Sequence, residues 1–188
     1  MSPACQQFEW TLAWHCAPAL TGLKAADLVA WAPPRDEGKE ILGRYAALLA
    51  RRGIGLRVLG RRGERTLLLV FRRRRLDSWL REPQVAAMLR AAGYPVEGGT
   101  RAMLSHLRKK LEGPGFPHEI GLFLGYPPGD VAGFLRDGGR GCKLCGPWKV
   151  YGDVEQARRR FRAFRCCRMA LTRRVEQGIP LARVFPAA

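Results

Sequence analysis

The stretch from Phe116 to Asp153, FPHEIGLFLGYPPGDVAGFLRDGGRGCKLCGPWKVYGD, constrains this chain most. Glycine and proline punctuate it so often that it reads as short elements joined by turns. Into those turns are set His118, Glu119, Cys142, Cys145, Trp148, Lys149 and Tyr151. Irregular segments held by a rigid scaffold are where function tends to gather.

Around this stretch, helical and extended patterns alternate. Gln6–Ala17 reads as a short helix ended by Pro18, since proline restricts the residue before it. Leu28–Trp31 reads as a strand, and Asp36 as the cap of a helix striped by Ile41, Leu42, Tyr45, Leu48 and Leu49 and stopped at Gly53. Ile54–Leu59 and Thr66–Phe71 form a predicted hairpin. The Arg72–Arg75 run closes its second strand and leads into Leu76–Arg81. Pro83 suits the first turn of a helix over Gln84–Ala92, and Thr100 the cap of the next one. The apolar run in Glu119–Leu124 is expected to be a central buried strand. Pro128 and Asp130 open a short helix that Gly138–Gly139 ends. Asp153, with Gln156 three residues on, opens a long helix to Gln177 whose seam is Val154, Ala157, Phe161, Phe164, Leu171 and Val175. The expected fold is therefore α/β or α+β: a small central sheet covered by helices, with a long C-terminal helix.

A chain of 188 residues, 47% of them hydrophobic, can bury a sizeable core, and one domain over residues 1–188 is the natural expectation. No apolar run reaches the length of a membrane span, and the first residues do not read as a signal peptide. The expected compartment is the cytoplasm, where the six cysteines would be mostly reduced. Lys and Arg number 33 against 16 Asp and Glu, a formal net charge of +17. Such a field attracts polyanions, either nucleic acid or an acidic protein. The arginines are dispersed and no RNA-recognition, KH or finger motif accompanies them, so charge spread over solvated faces is the plainer reading.

Cys142-Lys-Leu-Cys145 is a lone CxxC pair. A structural zinc site usually needs a second pair at fixed spacing, and the adjacent Cys166 and Cys167 would point about 100° apart on a helix. A thioredoxin-like role needs the pair at a helix start, whereas Gly146–Pro147 predicts a turn. Trp148, Lys149 and Tyr151, just before the Asp153 helix, could hold an anion such as a phosphate or flavin mononucleotide. They could equally be hairpin packing with Lys149 reaching into water. His15 beside Cys16 and His118 beside Glu119 suggest a cysteine hydrolase, with Cys16 as nucleophile and His118 as base. Against it, Cys16 near a helix C-terminus lacks the field that activates a thiol.

GYPPGDVAGF and CGPWKVYGD, read with WHCAPALTGLKAADLV, resemble the bacterial family known as domain of unknown function 3793, from about Phe8 to Val184. The resemblance singles out Cys16, Cys145 and Cys167 and leaves Cys5, Cys142 and Cys166 aside. It implies a thiol site, with His118 as a nitrogen donor, that would suit zinc or an iron–sulfur cluster. Free cysteines packed as small hydrophobes are the alternative. Relatives in anaerobic Gram-positive bacteria, sometimes encoded near flavodoxin-like proteins, imply a redox- or metal-linked accessory that docks an acidic flavodoxin-like partner. A basic nucleic-acid-binding module and the hydrolase are the rival functions.

Overall fold

The computed structural model describes residues 2–34 and 37–185. In chain order the elements are α1 (Pro3–Leu20), β1 (Ala26–Trp31), α2 (Gly38–Ala50), β2 (Ile54–Arg62), β3 (Arg65–Arg72), α3 (Arg73–Leu80) and α4 (Pro83–Ala91). Then come α5 (Gly99–Glu112), α6 (Ile120–Phe123), α7 (Pro128–Asp137), β4 (Leu144–Cys145), β5 (Lys149–Val150), α8 (Val154–Glu176) and α9 (Leu181–Val184). The fold is mixed α+β. Its chain divides into two compact units, one built from the chain before Leu76 together with the chain from Arg165, the other from Leu76–Phe164.

The first unit is organised by a three-stranded antiparallel sheet in the order β1-β3-β2. β3 lies in the middle, and its apolar run Leu67–Val70 is buried throughout, so both faces of the strand are covered. Phe8, Leu12 and Cys16 of α1 and Tyr45 and Leu49 of α2 pack with Val29, Trp31, Leu68 and Val70 of the sheet. Leu171 of α8 and Leu181 of α9 complete that core. Gly55 is a glycine for a packing reason: a side chain there would run into the ring of its cross-strand partner Phe71.

Ser2 caps α1, its hydroxyl accepting from the Cys5 N–H at 3.3 Å, and Pro3 occupies the first turn. The helix does not end at Pro18 but runs on to Leu20. A proline in the last turn removes only one ladder bond, and here the Ala19 N–H donates to Asp27 Oδ2 at 2.9 Å. Asp36, the expected cap of α2, lies outside the described residues; Glu37 precedes that helix without a side-chain cap bond. Arg72 turns inward from its basic run. It donates to the Leu20 carbonyl from Nε at 2.9 Å and to the Arg52 carbonyl at 3.1 Å, and it sits 5.4 Å over the Phe185 ring. Partial burial accordingly lowers its pKa.

The second unit holds helices, the small β4–β5 hairpin and the first part of α8. Glu119–Leu124 is not a strand: Ile120–Phe123 is a single helical turn, closed by Leu124 N–H to Ile120 O at 3.0 Å and left through Gly125 at φ 75°. Ile120, Gly121, Leu122 and Phe123 are all buried. A short, wholly buried run carries no period that separates helix from strand. The Leu122 carbonyl, which a sheet would have used, accepts instead from Trp79 Nε1 at 2.6 Å. Thr100 is not a cap either. α5 begins one residue earlier behind Gly98, and the Thr100 hydroxyl donates to Asp77 Oδ1 at 2.8 Å.

α8 is one continuous helix of 23 residues. Ala157, Phe164 and Leu171 are buried along its seam, and Asp153 Oδ1 caps it by accepting from the Gln156 N–H at 2.9 Å. Arg158, Arg159, Arg162, Arg165, Arg173 and Arg174 are exposed on its other faces.

Glu9 is 2% exposed on α1 and ties three helices of the first unit together. It accepts from the Tyr45 hydroxyl of α2 at 2.9 Å and from the Leu181 N–H at the start of α9 at 3.2 Å. Burial and the Glu9 carboxyl hold the Tyr45 phenol well above its ordinary range, so it remains a donor. Tyr45→Phe is expected to cost about 1–3 kcal/mol, because a buried acceptor loses its partner. Urea unfolding checks this, and an unchanged midpoint would show that Glu9 is satisfied without Tyr45.

Candidate functional site

Cys16, His15 and Cys167 belong to the first unit, where the segment WHCAPALTGLKAADLV meets the middle of α8. Lys24 and Asp27, both about 6% exposed, form an ion pair of 2.6 Å there. Burial pushes the Asp27 carboxyl up, against the pull of Lys24 and the Ala19 N–H. Cys16 is completely buried, and burial first and the Asp27 charge second push its thiol well up. Cys167 is half-buried, also raised by burial, with the Thr21 side chain bonding to it in the opposing sense. His15 is exposed at the surface of α1, its pKa lowered by partial burial and by Arg168. Cys5, which was expected to stand apart, lies in the same core as Cys16 with Cys167 packed against it. All three pack in this apolar core, and burial holds Cys16 and Cys167 as thiols, an environment that suits packing and opposes nucleophilic attack by those two.

The remaining candidates belong to the second unit. The His118 ring packs between Phe116 and Phe134, with centroids 5.6 and 4.9 Å away. Glu119 accepts from Lys110 Nζ at 2.7 Å and from the Tyr94 hydroxyl at 3.1 Å. Burial works to raise the Glu119 carboxyl, but the Lys110 and Tyr94 bonds outweigh it and hold the pKa below its ordinary value. Glu119 therefore ties α5 to the segment before α6, rather than orienting His118.

Asp130, which sequence reasoning treated only as a helix starter, organises this unit's turns. It is 4% exposed at the first turn of α7. Oδ2 accepts from the Trp148 indole at 2.7 Å, and Oδ1 from the backbone N–H groups of Tyr151 and Gly152 at 2.8 Å each. The motifs GYPPGDVAGF and CGPWKVYGD thus meet at one carboxylate. A signal lay in the sequence: an acidic residue inside a Pro-Gly turn, facing a tryptophan whose N–H needs a partner when buried. Trp148 stacks on Tyr126 at 5.0 Å and meets Phe161 edge-on at 4.6 Å. A side chain at Gly146 would collide with the Phe161 ring, and one at Gly133 would lie 2.5 Å from the Tyr151 ring, so both glycines admit aromatic packing.

Of the three residues expected to contact an anion, Trp148 and the Tyr151 N–H are thus engaged by Asp130, and Asp153 caps the helix behind them. Lys149 reaches a different partner. Its Nζ lies 3.0 Å from Cys145 Sγ, across the rungs of the β4–β5 hairpin. The bond that Lys149 donates to Cys145, followed by the Coulombic pull of the Cys145 and Cys142 sulfurs, holds the ammonium above its ordinary range. Cys145 is exposed and Cys142 half-exposed. Among the described residues, no three His, Cys, Asp or Glu side chains are grouped closely enough to hold a metal ion, and no helix is long and apolar enough to cross a membrane.

A family model described as "Protein of unknown function (DUF3793)" matches residues 12–185. The chain belongs to that family. The DUF3793 match takes in the Cys16 segment, the Asp130 clamp and the Cys145 hairpin alike. No curated protein and no solved structure matches the chain.

Two outcomes follow for the second unit. Asp130→Asn keeps an oxygen for Tyr151 and Gly152 but sets an amide N–H against the Trp148 indole, at an expected cost of about 1–3 kcal/mol. Combined with Trp148→Phe, the loss is expected to be less than additive by about 0.5–3 kcal/mol in chemical unfolding; strict additivity would sink the clamp. For Glu119, a folded pKa below the unfolded one gives stability that is present above the unfolded pKa and is lost as pH falls through the folded one. Glu119→Gln is therefore expected to be less stable than the natural chain at neutral pH, with the gap closing in acid. A gap independent of pH would show that the carboxylate charge is immaterial.

Proposed function

We propose that this protein is a cytoplasmic redox accessory that presents a thiol site and docks an acidic, flavodoxin-like partner. The observation that carries the docking half is an apolar surface rimmed by arginine on the first unit. Trp10 and Trp14 of α1 remain 38% and 39% exposed, and Met169 of α8 60%. The two indoles stack with centroids 5.5 Å apart, and Arg168 lies 5.5 Å over Trp14. An open cleft of about 510 Å³ is lined by Trp14, Met169, Ala170, Thr172, Arg173 and Glu176. The Thr172 hydroxyl in that lining is buried and has no hydrogen-bond partner. Tryptophan, methionine and arginine are the residue types that protein interfaces favour, and methionine adapts to an irregular partner. On a chain of net charge +17, the complementary partner is acidic.

The thiol half rests on Cys145, exposed beside Lys149, and none of the six cysteines is in a disulfide. A hydrolase reading has less support, since burial keeps the Cys16 thiol protonated and the His118 ring is packed between two phenylalanines. The net charge also favours nucleic acid, and binding experiments separate the two. Titration with an acidic flavodoxin is expected to show binding that Trp14→Ala with Met169→Ala weakens about tenfold or more, as loss of interface anchors does. Arg173→Glu should mainly slow association and flatten its salt dependence. If single-stranded DNA binds equally well, loses affinity steeply with salt and ignores the Trp14 and Met169 changes, the surface is a nonspecific polyanion binder instead.

A further inference from the structure

We propose that Cys142 and Cys145 form a reversible dithiol–disulfide couple in which Cys145 attacks, Cys142 resolves and Lys149 steadies the charge on the attacking sulfur. This deepens the thiol half of the reading above and stands whether or not an acidic partner docks.

The hairpin supplies the geometry. Cys145 ends β4 directly opposite Lys149, which begins β5, so the register itself sets the ammonium beside the sulfur at 3.0 Å. The turn is closed by Gly146 N–H to Trp148 O at 3.1 Å, and the entry to the hairpin by Lys143 N–H to Val150 O at 2.8 Å. Cys142 lies one residue before a pinned backbone bond and three residues before Cys145. Behind the hairpin, Trp148 is anchored on Asp130 and Gly146 lies against Phe161, so the Cys145 side of the turn is rigid. Before Cys142 the chain is different: Gly138, Gly139 and Gly141 all have positive φ, at 61°, 90° and 66°. Glycines there leave the backbone ahead of Cys142 free of side-chain constraint, which lets that sulfur approach its partner.

The other cysteines lack this setting. Cys5 and Cys16 are buried, Cys167 is half-buried in a core, and Cys166 is exposed on a helix. Only Cys145 combines exposure with a contacting ammonium among the described residues. Lys149 is in turn held above its ordinary range, first by its bond to Cys145 and then by the Coulombic pull of Cys145 and, more weakly, of Cys142.

The chemistry balances with a low-molecular-weight disulfide as oxidant. The Cys145 thiolate attacks one sulfur of that disulfide, an S–S bond forms, and the other half leaves as a thiolate that takes up the proton Cys145 gave up. The Cys142 thiolate then attacks Cys145 Sγ and expels the second half as a thiol. Two thiols are oxidised and one disulfide is reduced to two thiols; an excess of a small dithiol runs the sequence backwards.

The test uses the full chain with Cys166→Ser, to silence the other exposed thiol, and oxidised glutathione as the probe. Expected is a product lighter by two hydrogens, with a Cys142–Cys145 linkage in the peptide map and two glutathiones released. Cys142→Ser should instead accumulate a single glutathione on Cys145, while Cys145→Ser should react far more slowly. Lys149→Met should slow the attack about tenfold at neutral pH, with Lys149→Arg restoring most of the rate. A stable glutathione adduct on Cys145 with Cys142 intact, or a disulfide joining other cysteines, overturns the couple. Equal rates for Lys149→Met and the natural residue overturn the role of the lysine. No partner protein enters the experiment, so its failure leaves the docking surface untouched, and failure of docking leaves the couple untouched.

Discussion

A carboxylate removed from water has to be met by donors, and the turns of the second unit are built around that requirement at Asp130. One side chain, placed by the first turn of α7, accepts an indole N–H and two consecutive backbone N–H groups. Those donors come from the segment that follows the CxxC pair, so the carboxylate sets where β5 runs and where α8 can start. The aromatic stack of Tyr126, Trp148 and Phe161 is assembled on the same anchor. Without it, a segment so rich in glycine would have little reason to prefer one path, because each glycine loses more freedom on folding than any other residue. The hairpin that carries Cys145 and Lys149 inherits its rigidity from this clamp.

The first unit handles buried polarity by the same logic. Glu9 and Asp27 are each nearly inaccessible, and each is answered by one side-chain donor and one backbone N–H. Placed at helix junctions, these groups specify how α1 meets its neighbours, while the apolar residues of β3 supply most of the burial. Most of the positive charge is kept away from these cores: Arg158, Arg159, Arg162, Arg165, Arg173 and Arg174 of α8 are exposed, Arg168 is half-buried over Trp14, and Arg72, the one member of its run that turns inward, is satisfied by carbonyls.

Legibility in the sequence followed the length of the pattern. The α8 seam spans six turns, and apolar positions recur along it at helical spacing opposite most of the arginines, so helix, cap and buried face could all be read. The β2–β3 hairpin was legible because two apolar strands flank a glycine turn. The run Ile120–Phe123 was not, since four buried residues between prolines satisfy a strand and a helical turn equally. Pro18 misled for a related reason: its cost in a last turn is small, and a carboxylate eight residues beyond Ala19 supplies a bond there. For the site, the residue types were legible and their partners were not. Trp148, Lys149 and Tyr151 read together as anion contacts; Trp148 and the Tyr151 N–H are engaged by Asp130, and Lys149 contacts a thiol.

What the sequence determined by itself was the local grammar: which segments are amphipathic, where glycine and proline break them, the excess of positive charge, and which motifs place the chain in its family. Those depend on neighbours within a turn or two, so one dimension suffices. Only the tertiary structure decided which cysteines are buried and which are exposed, that Glu119 binds Lys110 rather than His118, and that Asp130 joins two distant motifs. The physical reason is that desolvation and hydrogen bonding act through space. A thiol or carboxylate takes its chemistry from whatever packs against it, and that is set by chain segments far away in sequence.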